Sequence, residues 1–222
     1  MNFEGYNDSV FDAPLTTPEK KYQLVGGALC LDFCNTVGGT REGIARENLH
    51  SYAHFVAWCE QAGVLTEIQR QALNQKAELD PQGASAVLGR ALELREAIYR
   101  IFFALSRQQE PALGDLGLIN GELSLGLGRL RISREAGGNG FGWKWAMDDL
   151  DLQLPLGPLA HSAANLLVAH DCCAHVRQCR ADNCGWLFVD CSKNHSRCWC
   201  DMRDCGNRAK VRRHRLRKRD HK

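Results

Sequence analysis

A chain of 222 residues can build one sizeable core with a small module appended. With 44% hydrophobic and 24% charged residues it has an ordinary globular make-up, and it contains no run near the ~20 apolar residues of a membrane-spanning helix. The net charge of +2 hides an asymmetry: Cys179 to Lys222 holds 13 Lys and Arg against 5 Asp, the remainder 15 basic against 21 acidic residues, so the C-terminal end is the candidate for a polyanionic partner.

In chain order, Met1 to Lys21 shows no periodicity and reads as a lead-in. It begins with acidic residues and lacks the basic start and apolar run of a secretory leader, so a cytoplasmic protein is expected, with no membrane partner. Gln23 to Thr36 contains a short apolar run and is expected to form a strand. Asn48 or Ser51 caps a helix running to Gly63, and Thr66 caps a second that stops at Asp80-Pro81. From Ser85 to Gln109, Val87, Leu88, Ala91, Leu94, Ile98, Ile101, Phe102 and Leu105 recur at helical spacing and mark the central core helix. Asp115 to Leu127 reads as a helix weakened by Gly117, Gly121 and Gly126. Arg129 to Met147 alternates on either side of Gly137-Gly138-Asn139-Gly140, the pattern of a β-hairpin. Pro155 and Pro158 then open a helix expected to reach Val176, with Leu159, Ala163, Leu166, Leu167, Ala169, His170 and Cys173 facing inward.

Six of the eleven cysteines lie between Cys179 and Cys205. In a reducing compartment such a cluster points to metal rather than to disulfides. Cys179, Cys184, Cys200 and Cys205 read C-x4-C-x15-C-x4-C, two close pairs that a short hairpin can bring together around a tetrahedral ion. Trp186, Phe188 and Asp190, alternating with Leu187 and Val189 and followed by Lys193-Asn194-His195, suggest that hairpin. Thiolates favour Zn2+, and four of them leave no open position, so the ion would be structural. Counting alone leaves a second set open: Cys184, Cys198, Cys200 and Cys205. His175 and His195 read as surface histidines. Cys30, Cys34, Cys59, Cys172 and Cys173 sit in apolar surroundings and read as buried thiols.

After Cys205 the sequence is GNRAKVRRHRLRKRDHK. On a helix, Arg208, Arg212, Arg215 and Arg219 form one stripe, and Lys210, Arg213 and Arg217 a second beside it. Ala209, Val211 and Leu216 are too few to bury a face, so packing cannot order this segment, whereas a line of phosphates would. Arginine's excess over lysine suits bidentate contacts to phosphate or guanine. The alternative is a solvated basic tail.

The residues from Cys179 to Arg215, including the tetrad Cys205-Gly206-Asn207-Arg208, resemble the CGNR zinc finger. That resemblance implies Cys179, Cys184, Cys200 and Cys205 as the ligands. Cys191 and Cys198 stand where the family tends to have other residues, often arginine, which leaves a redox or supporting role open. Leu29-Cys30-Leu31-Asp32-Phe33-Cys34-Asn35-Thr36 and the following helix resemble the ABATE domain, over roughly residues 20 to 150. The pair of domains is associated with stress-related bacterial transcription regulators.

The expected fold is α+β: a mostly helical N-terminal domain with a small antiparallel sheet, then a treble-clef-like zinc module ending in a basic helix. The boundaries expected are 1–20 for the lead-in, 21–153 for the ABATE-like domain, 154–176 for a connecting helix and 177–222 for the finger. The expected function is zinc-dependent DNA binding in transcriptional control, with Arg208, Lys210, Arg212, Arg213, Arg215 and Arg217 on the nucleic acid. The N-terminal domain would sense a small-molecule effector or form a homodimer. RNA is the runner-up partner. An enzyme in the N-terminal domain would have only Asp32, Asn35, His50 and His54 to work with; the sequence there is HSYAH, without the glutamate of HExxH, and no catalytic function is expected.

Overall fold

The computed structural model describes residues 22–43, 45–134, 140–146 and 150–220, excluding the side chains of residues 216, 219 and 220. The expected lead-in and most of the glycine turn lie outside these residues. The expected α+β organisation is present among them: eight α-helices, a short π turn, two small antiparallel sheets and a C-terminal cysteine cluster.

The first apolar run is a helix, α1 (Leu29–Cys34), and not the strand its composition suggested. Cys30, Leu31, Phe33 and Cys34 are all buried and Asp32 is the single polar residue, so six residues do not show the helical period and read equally well as a strand. Gly26 and Gly27 turn the chain into it. Gly27 has φ +78°, and the Asp32 carboxylate accepts the Gly26 N–H at 2.7 Å.

Ser51 caps α2 (Tyr52–Gln61) by accepting from the His54 N–H, and Thr66 with Gln69 forms a full capping box on α3 (Glu67–Leu79). Asp80-Pro81 ends α3 as expected but also starts the next helix. Pro81 takes the first position of α4 (Pro81–Ser106) and Asp80 accepts from the Gly83 N–H, four residues ahead of the expected start. Helix α4 buries Val87, Ala91, Leu94, Ile98, Ile101 and Phe102 as its periodicity requires. Helix α5 (Leu113–Leu127) forms despite its glycines, one of which has a packing role. A Cβ on Gly126 would lie 2.6 Å from the Cα of Gly157 in α6 (Leu156–Val168), so the two helices touch backbone to backbone.

The hairpin pairs β1 (Leu130–Arg134) with β2 (Phe141–Trp145), Ile132 opposite Trp143. The long helix expected to reach Val176 breaks instead. At Ala169 the backbone leaves the helical region (ψ 79°), a short α7 (His170–Ala174) follows, and Val176–Gln178 is strand β3. Ala169 and His170 are exposed rather than inward. The break has a physical reason: Val176, fully buried, belongs to the sheet with β4 (Leu187–Val189). That sheet also corrects the expected hairpin between the two cysteine pairs. The turn of the real hairpin is the Cys179–Cys184 loop itself, and the chain from Asp190 to Cys200 is irregular.

Strand β4 serves two cores. Leu187 and Val189 join the main core of α1, α2, α4 and α6, whereas Phe188 points the other way into a small cluster with the four cysteines. The outer edge of β4 is paired by the N-terminal domain. Asn35, 4% exposed, donates from Nδ2 to the Leu187 carbonyl at 2.9 Å and accepts the Leu187 N–H on Oδ1 at 3.0 Å. The Gly26 carbonyl accepts the Val189 N–H at 2.8 Å. The Gly185 N–H and the Trp186 indole N–H donate to the carbonyls of Gly39 and Val37.

Candidate functional site

Three local structures deliver the four sulfurs. The first pair comes from the tight loop closing the β3–β4 hairpin, in which the Cys179 N–H donates to the Trp186 carbonyl and the Cys184 N–H to the Ala181 carbonyl. Cys200 ends the irregular loop after β4. Asp190, 1% exposed, shapes that loop by accepting from the Ser192 N–H, the Ser192 hydroxyl and the Arg197 N–H. Arg197 then lies over the Phe188 ring and donates to the carbonyls of Trp199, Val25 and Cys200. Cys205 sits in a π turn (Met202–Gly206) that runs into α8 (Asn207–Asp220). The wider turn lets Cys200 and Cys205 face one point although they are five residues apart. Gly206 is closely packed there: a Cβ would sit 3.2 Å from the Trp199 ring and would displace the Met202 side chain.

The four side chains are buried and their sulfurs all lie within 4.8 Å of one another. Cys184 and Cys200 are 3.7 Å apart, Cys200 and Cys205 3.6 Å. A tetrahedral ion with Zn–S bonds of about 2.3 Å requires sulfurs ~3.8 Å apart, so the cage has the size of the ion. The electrostatics agree. The S–H groups of Cys184 and Cys200 pointing at Cys179 hold its thiol far below the ordinary range, and Cys184 and Cys200 are pushed up because they donate to it. Cys179, Cys184 and Cys200 therefore compete for protons, a conflict that a divalent cation between them would remove. Backbone N–H groups of Ala181 and Cys200 approach the Cys179 sulfur, and that of Trp186 approaches Cys184.

The set open in the sequence, with Cys198 in place of Cys179, does not form. Cys198 points its sulfur at the Ser196 carbonyl at 3.4 Å, and Cys191 is exposed. His175 and His195 stack on each other at 3.5 Å between ring centroids and take no part in the cage. Cys30, Cys34 and Cys59 are buried as expected, but Cys172 is exposed and Cys173 half-buried.

The residues match two families in succession. Residues 27–170 match ABATE, described as "Putative stress-induced transcription regulator", and residues 175–218 match the CGNR zinc finger. The chain belongs to the ABATE family. Its C-terminal cluster is the structural Zn2+ site of the CGNR finger. No curated protein matches the chain in sequence.

In this ABATE chain the zinc site is followed by the basic helix α8. Arg208, Lys210, Arg212, Arg213, Arg215 and Arg217 are all exposed. Among the helices and strands, α8 packs mainly on the π turn before it, and these basic side chains stay outside the core. Arg208 has a second engagement that spacing did not reveal. It donates to the Cys205 sulfur at 3.0 Å and to Asp204 at 3.3 Å, and these partners raise its basicity further. The fourth residue of the tetrad thus neutralises and orients a zinc ligand. Arg212 pairs with Asp182 of the first cysteine loop. The side chain of Arg219 lies outside the described residues.

Three of the four polar residues considered for catalysis in the ABATE domain make structural contacts, and His50 is exposed with its ring edge-on to His54. Asp32 closes the Gly26 turn, Asn35 pairs with β4, and His54 bonds the Ser51 hydroxyl at 2.8 Å through Nδ1. No helix among the described residues is long and apolar enough to cross a membrane.

Proposed function

We propose that this ABATE protein is a zinc-dependent DNA-binding transcription regulator, in which the N-terminal domain senses a signal or forms a dimer. The observation that carries the reading is the junction at Cys205. A metal ligand lies two residues before a helix with basic side chains exposed on every side, and the ion fixes the direction in which that helix leaves the body. A flexible basic tail would meet phosphates only after losing its own conformational freedom; an anchored helix has lost part of it already.

A sensing role is supported by an open groove of about 530 Å³ bordered by Leu29, Val64, Trp145, His161 and Asn165. It lies along α6, whose end leads through α7 and β3 directly to Cys179. A small molecule there would act on the segment that carries the first zinc ligand.

The test is a salt titration of the zinc-loaded chain on duplex DNA and on RNA. Contacts to ~6 phosphates give a log–log slope near −5 on duplex DNA. Tighter binding to RNA at equal salt would put RNA in place of DNA. Absence of binding to either would end the reading.

A further inference from the structure

Beside the zinc site, between the Cys179–Cys184 loop and α8, lies a cleft of about 360 Å³ that the metal does not use. It is bordered by Arg180, Asp182 and Trp199 on one side and by Arg208, Arg212 and Arg213 of α8 on the other, while Ala181 and Ala209 add little bulk. Four guanidinium groups therefore surround one carboxylate. Arg208 is held by Asp204 and the Cys205 sulfur, and Arg212 by Asp182. Arg180 and Arg213 form no ion pair among the described residues. The Trp199 ring is half-buried, and no described residue accepts its indole N–H.

Each property narrows the occupant. Clustered arginines select a phosphate, which they can hold bidentately. A partly open indole with a free N–H selects a flat ring carrying an acceptor. The volume falls at the low end of the roughly 300–1,000 Å³ of ligand sites, well beyond what one phosphate fills. A nucleotide joins these features in one unit.

We propose that this cleft binds a single unstacked nucleotide, with its base against Trp199 and its phosphate on Arg180, Arg212 and Arg213. Asp182 competes for Arg212 and gives way to the phosphate. With a nucleic-acid strand as the source, the inference rests on the reading of α8 given above, and it adds a preference for sites where a base is unpaired or easily extruded. A free mononucleotide carries the same chemistry and is the other source.

The experiment uses the zinc-loaded full chain at one salt concentration. Anisotropy titrations compare a fully paired duplex with the same duplex carrying one unpaired nucleotide, and a separate arm measures binding of AMP. The unpaired nucleotide should tighten binding roughly tenfold, the scale of one base stacked on an aromatic side chain. Arg180→Ala should remove most of that gain, and Asp182→Asn should strengthen binding of the bulged duplex severalfold. Both side chains are exposed, so neither change threatens the fold. Trp199→Leu, scored only if zinc content is retained, should abolish the gain and leave paired-duplex binding intact. Equal binding of both duplexes, unaffected by Arg180→Ala and Asp182→Asn, with no binding of AMP, overturns the cleft and leaves the reading of α8 standing. Binding of AMP without either duplex supports the cleft with a free nucleotide as its ligand and overturns the reading of α8. Binding of none of the three overturns both.

Discussion

Replacing Asn35 by alanine should loosen the finger from the ABATE domain. The carboxamide is the outer partner of β4, making two hydrogen bonds of 2.9 and 3.0 Å to Leu187 from a side chain that is 4% exposed. Alanine removes both and leaves a backbone N–H and a carbonyl facing a space closed to water. Each such orphan costs about 1–3 kcal/mol, so roughly 3 kcal/mol is expected for the pair. For a chain of this size that lowers Tm by about 6–12 °C. Leu187 is three residues from Cys184, so zinc should also escape faster to a chromogenic chelator. Asn35→Asp keeps the acceptor but loses the donor and buries a charge, and should cost at least as much. Calorimetry and zinc-release kinetics on the zinc-loaded protein measure both effects. A Tm within about 2 °C of the parent with unchanged zinc release would refute the claim that β4 depends on this residue.

Other outcomes follow from the metal site and the buried charges. One zinc per chain is expected, lost in Cys205→Ser and kept in Cys191→Ser and Cys198→Ser, as atomic absorption would show. Arg208→Ala should weaken zinc binding by about 10–100-fold through loss of its bond to the Cys205 sulfur, with a smaller effect for Arg208→Lys; competition with a calibrated chelator reads this. Glu47 responds to pH. Burial opposes its ionisation, but hydrogen bonds from Arg95 and from the Leu49 and Asn48 N–H groups outweigh it and bring the carboxyl down to about 2. Because the folded value is depressed, the stabilisation is present above the ordinary value of 4.5 and fades as pH falls from there toward 2. Glu47→Gln should therefore be less stable than the parent at pH 7, with a gap that narrows in acid. A gap independent of pH in thermal melts would contradict this, and the comparison cancels the acid loss of zinc common to both.

The readable parts of this sequence were those governed by a local rule. Thr66 and Gln69 specify a helix start by themselves, the α4 periodicity needs no knowledge of its neighbours, and the cysteine spacing fits a tetrahedral cage to within one competing set. What stayed hidden depended on tertiary partners. α1 is only six residues long and apolar except for Asp32, too short for its period to tell it from a strand. The chain leaves α6 at Ala169 because Val176 has to reach the sheet, a demand set by β4 downstream. Asn35 stood among the catalytic candidates, since nothing near it in sequence announces Leu187, 152 residues away. Arg208 counted as one more arginine in a basic run, and neither its spacing in that run nor its place in the tetrad announced a bond to the Cys205 sulfur.

The pleat of β4 also bears on how such proteins can be recombined. The border between the two family matches falls just ahead of a hairpin whose second strand shows one side to each partner. A finger transplanted onto another body would arrive with Leu187 and Val189 bare, and the donor would be left with a gap where they had been seated. Here the finger is no interchangeable cassette: any swap that succeeds has to carry the face receiving those two residues along with the zinc ligands.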